Sequence, residues 1–319
     1  MGDRVVGKVA LVTGAARGQG RADALRLAQE GADLIVVDVC APLPSVAYDS
    51  ATPEDLAETV RQIQKTGRRV ISGIADIRDL DTLRGLVDDA VRQFGRLDVI
   101  VANAGICVPK AWDQVTPQIF DDTISTNVTG TWNTVMAGAP HLVAAGGGSV
   151  ILISSAAGLK VQPFMVPYTT SKFAVRGMAK AFAAELGKHN IRVNSVHPTG
   201  VNTPMGSGSM QAELGAAIAG YDRLAPMFTN MLPVDITQPE DVADVVLFLA
   251  SDESKFITAH EIAPDARRHR VLMPGQAGPL QGPARYTIRT WRTGRQEVSA
   301  SSPTAGPCPP ARASAAAHK

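Results

Sequence analysis

Three polar side chains near the middle of the chain have the types and the spacing needed to move a proton on and off an alcohol oxygen. Tyr168 and Lys172 stand four residues apart in a helix-like stretch, so their side chains share one helix face. Ser155 stands thirteen positions before Tyr168, at the end of the apolar run 150–153. Because a nearby ammonium favours phenolate, we expect Lys172 to lower the pKa of Tyr168 below its ordinary value of about 10. Such a tyrosine can act as a proton acceptor near neutral pH, with Ser155 as a hydrogen-bond donor to the oxygen.

A glycine-rich loop near the N-terminus could bind a pyrophosphate. The apolar run 9–12 predicts a buried parallel strand, and a helical pattern of apolar residues follows up to residue 28. Between them lie Gly14, Gly18 and Gly20, spaced G-x-x-x-G-x-G rather than the commoner G-x-G-x-x-G. Glycines let the backbone turn tightly and approach a pyrophosphate, to which a helix N-terminus presents unpaired N–H groups. The loop is weak evidence by itself, and the Tyr168–Lys172 spacing also occurs on solvated helix faces.

The second apolar run, 34–37, ends in a carboxylate that bears on the choice of dinucleotide. Asp38 follows Gly20 by eighteen residues, close to the ~20 expected for the acid that binds the adenosine ribose diol. A carboxylate there repels a 2′-phosphate, so Asp38 favours NAD over NADP. Arg17 favours the opposite choice, because a base in the loop could reach that phosphate. We give Asp38 more weight because a strand end fixes its position.

These motifs, in this order, resemble those of the short-chain dehydrogenase/reductase family, and the likeness covers roughly residues 7–265. The matching residues are the glycine loop, Asp38, Asp76, Ile77, Asn103, Ala104, Gly105, Asn127, Ser155, Tyr168, Lys172, Pro198, Thr199 and Gly200. A closer resemblance is to the mycofactocin-associated branch, which includes carveol-dehydrogenase-like enzymes. The segments 38–56 and 197–205 carry that closer resemblance.

The resemblance implies a catalytic set of four residues. Ser155 would stabilise charge on the substrate oxygen, Tyr168 would exchange the proton, and Lys172 would tune the tyrosine and bind the nicotinamide ribose. Asn127 would kink its helix and hold a water linked to the lysine. Ser154 competes for the serine role, but it is one residue off the family spacing and would face the other way in an extended strand end. The cofactor-binding residues that the resemblance implies are Gly14, Arg17, Gly18, Gln19, Gly20, Asp38, Val39, Asp76, Ile77, Asn103, Ala104, Gly105, Tyr168, Lys172, Val201 and Thr203.

The alternation of strand and helix patterns predicts an α/β fold over residues 1–266, a single Rossmann domain with a doubly wound parallel sheet of about seven strands. We expect the strands near residues 7–12, 33–38, 69–75, 97–102, 148–154, 191–197 and 256–262. Helices should begin at Thr52-Pro53 and Thr116-Pro117, each a capping residue followed by proline. The sequence contains no run of about 18 apolar residues, so it predicts no membrane span. Three cysteines without metal-ligand spacing suggest a reducing, cytoplasmic location and no metal site.

The C-terminal segment from Arg267 to Lys319 differs in composition from the rest. It holds nine Lys and Arg against one acid, a charge of +8, so the remaining residues carry 1 − 8 = −7. That acidic body argues against nucleic-acid binding. Seven prolines, five glycines and no periodicity predict disorder in the segment. The abrupt boundary after residue 266 favours a frameshift or a cloning artefact over a functional basic tail.

Two segments bear on ligand binding. Residues 40–52, called the flap below, form either a tolerated surface insertion or, as the resemblance implies, a cover over the adenosine half of NAD. Residues 204–236 form the expected substrate lid, whose methionines suit an adaptable apolar pocket but equally suit core or subunit packing. The apolar pocket candidates are Trp112, Val161, Phe164, Met205, Met210, Tyr221, Met227, Phe228 and Met231.

The sequence therefore favours an NAD-dependent enzyme that interconverts a hydrophobic secondary alcohol and its ketone, with tightly held NAD reoxidised by mycofactocin. One alternative is an ordinary family member with freely exchanging NAD. Another is a non-catalytic NAD-binding sensor, which would not need the whole catalytic set. A third is a product inactivated by its altered C-terminus. The resemblance also implies a homotetramer, packed partly through residues 240–263.

Overall fold

The computed structural model describes residues 2–206 and 208–266, and the predicted disordered tail 267–319 lies outside them. Seven parallel strands form one sheet in the order β3-β2-β1-β4-β5-β6-β7. The strands are β1 (Val9–Thr13), β2 (Asp33–Asp38), β3 (Val70–Ile74), β4 (Val99–Ala102), β5 (Gly148–Ile153), β6 (Ile191–Val196) and β7 (Glu261–Ile262). The order reverses between β1 and β4, which opens a crevice at the carboxyl ends of these two strands. The predicted doubly wound α/β fold is confirmed.

Helices cover both faces of the sheet, which explains why its central strands are buried along nearly their whole length and mostly apolar. The α-helices of the described residues are α1 (Gly18–Gln29), α2 (Pro53–Lys65), α3 (Leu80–Phe94), α4 (Pro117–Ile124), α5 (Gly130–Ala144), α6 (Val166–Leu186), α7 (Ser209–Ile218) and α8 (Pro239–Ala250). Residues of α1, α2 and α8 form one buried cluster, and residues of α3, α5 and α6 form the other. None of these helices is both long enough and apolar enough to cross a bilayer.

The predicted helix starts are confirmed by their caps. The Thr52 hydroxyl accepts a hydrogen bond from the backbone of Asp55, whose carboxylate in turn accepts one from the backbone of Thr52. At α4, Thr116 accepts a bond from the backbone of Ile119. These caps satisfy N–H groups that the first turn of a helix leaves without intrahelical partners. They fix where α2 begins, and so where the flap ends.

The last strand is shorter than predicted, because β7 contains only residues 261–262 of the expected 256–262. Ahead of β7 the backbone of Ala259 still donates to the carbonyl of Val193 at 2.8 Å, and the side chain of Asn194 on β6 adds two further bonds. Its amide donates to the carbonyl of Ile257 at 2.8 Å, and its oxygen accepts from the backbone of His260 at 3.0 Å. Between them Ala259 has a φ of 58°, a left-handed conformation that is incompatible with a regular strand.

Candidate active site

A cavity of about 500 Å³ lies at the carboxyl ends of the strands, where the topology opens the crevice. It is lined by Ser155, Tyr168 and Lys172, and by every residue that the sequence assigns to cofactor binding. Those residues are Gly14, Arg17, Gly18, Gln19, Gly20, Asp38, Val39, Asp76, Ile77, Asn103, Ala104, Gly105, Val201 and Thr203, together with Tyr168 and Lys172. Asn127 is fully buried and is not part of the cavity lining. Residues from seven separated segments thus meet around one space.

Two glycines of the loop, Gly14 and Gly20, leave no room for a side chain. A Cβ on Gly20 would lie 2.1 Å from the carbonyl oxygen of Gly14, and one on Gly14 would lie 2.8 Å from Cα of Ala104. Gly14 also has a φ of 67°, which favours glycine. The Asn103 amide braces the loop by donating to the carbonyl of Thr13 at 2.9 Å. The first residues of α1 line the cavity, and no side chain caps this helix start, so its first N–H groups have no side-chain acceptor competing for them.

Carboxylates lie at the ends of β2 and just beyond β3, on one side of the cavity. Asp38 is nearly buried and accepts bonds from the backbone of Ala16 at 3.0 Å and of Cys40 at 3.2 Å. Asp76 is held by the Arg78 guanidinium, with the closest contact at 2.6 Å. Burial raises the pKa of Asp76, but its hydrogen bonds with Arg78 outweigh burial, so the pKa is lowered overall. Both acids are therefore fixed in orientation by bonds to their own surroundings.

At the other side of the cavity, Ser155 and Tyr168 hydrogen-bond through their side chains. The Ser155 oxygen also accepts from the backbone of Ala157 at 3.1 Å, which fixes its position at the end of β5. The neighbouring Ser154 hydroxyl instead donates to the carbonyl of Lys172 at 2.9 Å and is committed to packing against α6. The geometry therefore favours Ser155 over Ser154 as the serine that could contact a substrate oxygen.

The expected lowering of the Tyr168 pKa is wrong in this structure. Burial raises the pKa of Tyr168, with the nearby Cys107 acting in the same direction and the bond with Ser155 acting against it. The Lys172 ammonium lies 5.5 Å from the Tyr168 ring centroid and donates to the carbonyl of Ile153 at 2.9 Å. Burial also lowers the pKa of Lys172 to about 8. Four-residue spacing brings the two groups together, but burial has the larger effect on the phenol.

Asn127 lies in a π-helical turn, Ser125–Thr129, between α4 and α5. Its side chain accepts from the backbone of Ile106 at 2.8 Å and donates to the Ile106 carbonyl at 2.9 Å and to the Ser171 hydroxyl at 3.0 Å. The side chain therefore ties the loop after β4 to α6. Its backbone carbonyl accepts from the Thr131 hydroxyl at 2.7 Å. The predicted break in the helix is present, and the water-linked proton relay stays a prediction.

The flap crosses the cavity mouth and is anchored on three sides. Arg17 of the glycine loop donates to the carbonyl of Asp49, and Ser45 bonds the carboxylate of Asp122 in α4. Ser209 of α7 donates to the flap backbone at 3.1 Å. Flap residues also line the cavity, from residue 41 to residue 51. The flap thus connects the glycine loop, α4 and the segment expected to form the lid.

Sequence reasoning missed two residues beside Tyr168. Tyr48 of the flap has a buried hydroxyl that lies near Cys107 and Tyr168. The Cys107 backbone amide points toward this hydroxyl without closing a hydrogen bond, and no other partner occurs within the described residues. Burial raises the pKa of the Cys107 thiol to about 12. Position offered one signal for Cys107, which follows the Asn103-Ala104-Gly105 motif by two residues. For Tyr48 the only signal was its place in the flap.

The apolar pocket candidates divide into two groups. Met205, Met210 and Phe228 line the cavity, as predicted. The others are absent from the lining that the described residues form: Trp112, Val161, Phe164, Tyr221, Met227 and Met231. Phe164 packs instead against Tyr221, with ring centroids 5.2 Å apart. Met165 and Leu214 complete the apolar wall, and α7, which carries Leu214, is held by an ion pair of 2.9 Å between Lys110 and Glu213.

Comparisons with known proteins agree with this geometry. A family model described as short chain dehydrogenase matches residues 8–214. The (-)-trans-carveol dehydrogenase of Rhodococcus erythropolis is 42% identical over 274 residues, covering 82% of this chain and 98% of the relative. A crystal structure of a short chain dehydrogenase from Mycobacterium paratuberculosis bound to NAD is 57% identical, covers 84% of this chain and 100% of its own, and superposes with a TM-score of 0.83. The carveol dehydrogenase of Mycobacterium avium in complex with NAD is 43% identical, covers 83% of this chain and 98% of its own, and has a TM-score of 0.78. The chain belongs to the short-chain dehydrogenase/reductase family.

Proposed function

We propose that the protein is an NAD-dependent oxidoreductase that interconverts a hydrophobic secondary alcohol and its ketone. One observation carries the proposal: Ser155, Tyr168 and Lys172 line the same cavity as Asp38 and the glycine loop. A proton-exchanging group and a dinucleotide site in one crevice are the two parts that hydride transfer to or from an alcohol needs. The names of the NAD-bound relatives support the choice of cofactor.

The residues present fit NAD. The crowded glycines leave only backbone at the place where a pyrophosphate would approach, and the uncapped start of α1 offers N–H donors to it. Asp38 lies at the end of β2, where a carboxylate can accept hydrogen bonds from a ribose diol and repel a 2′-phosphate. Lys172 and Asn103 would hold the nicotinamide end, and Asp76 with Ile77 would contact the adenine. Val201 and Thr203 would fix the carboxamide.

In the proposed mechanism, NAD supplies the hydride acceptor for oxidation, and its reduced form supplies the hydride for ketone reduction. Ser155 donates a hydrogen bond to the substrate oxygen and stabilises the charge that develops on it. Tyr168 gives a proton to that oxygen in reduction and takes it back in oxidation. Lys172 holds positive charge beside the phenol, and Asn127 fixes the loop after β4 against α6. The four residues have separate roles and are expected to act as one unit.

The substrate class follows from the cavity wall. Its apolar side chains are Met165, Met205, Met210, Leu214 and Phe228. Such a wall gains free energy by covering hydrocarbon, at roughly 25 cal/mol per Å² buried, and offers little to a charged substrate. A terpenoid or steroid alcohol suits this wall. The relative from Rhodococcus erythropolis, named for a terpenoid alcohol, supports the same class.

We propose in addition that the flap keeps NAD bound between turnovers, with mycofactocin as the acceptor that reoxidises it. The three anchors of the flap support retention, because a cofactor beneath it can leave only after those contacts open. Free exchange of NAD is the alternative. The homotetramer, the cytoplasmic location and the role of residues 204–236 as a lid stay predictions from the sequence.

The first experiment measures bound nucleotide and acceptor preference together. The purified protein is desalted exhaustively and denatured, and the released nicotinamide nucleotide is quantified. Carveol is then offered with either free NAD or an artificial redox dye. One NAD per chain with turnover on the dye only supports retention. Turnover of free NAD by a protein that retains none supports the ordinary enzyme, and a protein that neither binds NAD nor oxidises carveol or other apolar alcohols refutes the proposal.

A matched pair of tyrosine variants tests the site itself. Tyr168→Phe removes the hydroxyl beside Ser155 and should abolish turnover while NAD content is unchanged. Tyr221→Phe removes a hydroxyl outside the cavity and should leave turnover as in the wild type. Equal activity of the two variants would exclude Tyr168 as the proton-exchanging group.

A further inference from the structure

His197, directly after β6, is completely buried, and both of its ring nitrogens are hydrogen-bonded. Nδ1 lies 2.9 Å from the carbonyl oxygen of Ser155, and Nε2 lies 2.8 Å from the hydroxyl of Ser195. A carbonyl oxygen can only accept, so Nδ1 must carry the proton. In the neutral ring Nε2 is then the acceptor, and the Ser195 hydroxyl donates to it at 2.8 Å rather than to the more distant carbonyl of His260 at 3.5 Å. The surroundings thus select one neutral tautomer of the ring.

The bond to Ser155 belongs to a set of contacts that fix the end of β5. The same carbonyl accepts from the backbone of Gly158 at 2.8 Å, and the backbone of Ala156 donates to the carbonyl of Pro198 at 2.8 Å. His197 supplies the one side-chain donor in this set, and it comes from the neighbouring strand. The peptide that follows Ser155 is therefore held from both sides. The direction of the Ser155 hydroxyl depends on how that peptide is oriented.

Charged groups from β7 and α6 face the His197 ring. Glu261 of β7 favours the charged ring, whereas Arg176 and Lys172 of α6 oppose it. Burial has the largest effect and lowers the pKa of His197 to about 4. The ring is therefore neutral near pH 7. Its Nδ1 therefore stays a donor and its Nε2 an acceptor, and the ring does not take part in proton transfer near neutral pH.

We propose that His197 is a positioning residue, which aims the Ser155 hydroxyl at the substrate oxygen through the bond from Nδ1 to the Ser155 carbonyl. This inference rests on the proposed function, because Ser155 must contact a substrate. The competing explanation is a buried histidine that only fills space. The two differ in what they require: positioning needs a donor at the place of Nδ1, and packing needs only volume.

Two amide variants, each able to replace one ring nitrogen, separate these explanations. In His197→Asn, the amide nitrogen can occupy the place of Nδ1 and keep the donor to Ser155. In His197→Gln, the longer side chain places its amide near Nε2 and loses that donor. With carveol as substrate, His197→Gln should lower kcat by about 10- to 100-fold, with KM and the Kd for NAD within about twofold. His197→Asn should retain most of the wild-type kcat. His141→Gln, which changes a partly exposed histidine on α5, is the matched control and should behave as wild type.

Equal loss of kcat in both His197 variants, with equally lowered Tm, would reduce His197 to a packing residue and overturn the inference. An unchanged kcat in His197→Gln would overturn it as well. Turnover by the wild type is measured first, because its absence would refute the proposed function. The tautomer is tested independently of turnover, by NMR of 15N-histidine-labelled protein assigned against His197→Asn. A proton on Nδ1 between pH 6 and 9 supports the inference, and a proton on Nε2 refutes it.

Discussion

Asp23 provides a test of how burial and charge combine in the helix that follows the glycine loop. The residue lies in α1 and is completely buried. Neither of its carboxylate oxygens has a hydrogen-bond partner within the residues that the structure describes. Burial alone raises the pKa of Asp23 well above its usual value of 3.8. We predict that Asp23→Asn, which keeps the shape of the side chain and removes its ionisation, stabilises the protein at neutral pH.

The free energy at stake has a ceiling. Protonating a carboxyl group of ordinary pKa 3.8 at pH 7 costs about 4 kcal/mol, at 1.36 kcal/mol per pH unit. An unpartnered amide and the unpartnered neutral carboxyl group that it replaces each cost about 1–3 kcal/mol to bury, so these two costs largely cancel. The net gain at pH 7 is therefore at most about 4 kcal/mol, and each kcal/mol raises Tm by about 2–4 °C for a domain of this size. The folded state keeps a proton that the unfolded chain releases above pH 3.8. Wild-type stability thus falls as pH rises from 3.8 through the folded pKa, and the variant lacks this fall.

Thermal unfolding at fixed protein concentration, after removal of nucleotide, measures the effect at pH 4.5 and pH 8. The difference in Tm between Asp23→Asn and wild type should be largest at pH 8 and should shrink toward pH 4.5. Asp222→Asn, at an exposed position outside the helices, controls for the loss of one negative charge and should change Tm by less than about 1 °C. Equal Tm values for Asp23→Asn and wild type at pH 8, or a difference independent of pH, would refute the reasoning.

The remaining predictions concern the site. Tyr168→Phe should lower kcat at least about 100-fold at unchanged NAD content, measured by carveol turnover and by nucleotide release. Asp38→Asn should raise the ratio of NADP to NAD affinity at least about tenfold, because it removes a like charge facing a 2′-phosphate; an unchanged ratio in equilibrium titrations would contradict the assignment of Asp38. His197 has a folded pKa of about 4, below its ordinary 6.5, so stability falls as pH drops from 6.5 toward 4, by up to about 3 kcal/mol. His197→Asn should reduce this loss of stability at acid pH. The free energy of unfolding, taken from urea curves at several pH values, measures it, and an unchanged pH dependence would count against a neutral His197.

Most of the fold and most of the cavity lining could be predicted because they depend on local signals. The runs 9–12 and 34–37 predict buried strands, and a residue that ends a parallel strand lies at the same edge of the sheet as the others. Asp38, Asn103 and Ser155 therefore meet although they are far apart in sequence. The last strand is shorter than predicted. Residues 256–262 carry the same sequence pattern whether their backbone groups bond to the backbone of β6 or to the side chain of Asn194.

Tyr48 and His197 were missed for a different reason. Both lie in segments that carry the closer resemblance, but that pattern gives no role to either side chain, and each owes its place to contacts between distant segments. Tyr48 reaches the vicinity of Tyr168 only because the flap folds back across the crevice and is anchored to α4 and α7. The His197 ring reaches Ser155 only because β5 and β6 are adjacent and paired in a register that brings their ends together. A single sequence carries no signal of such pairings at side-chain resolution.

The pKa of Tyr168 depends on burial more than on its spacing from Lys172. The four-residue rule counts the attraction between phenolate and ammonium, but a buried pair must also lose the hydration of both charges, and burial moves both groups toward their neutral forms. A neutral tyrosine is the form that donates a proton to a ketone oxygen. Alcohol oxidation requires the phenolate to be stabilised, and the bond from Ser155 already acts in that direction. A side chain that fixes Ser155, as His197 is proposed to do, therefore affects the proton as well as the substrate oxygen.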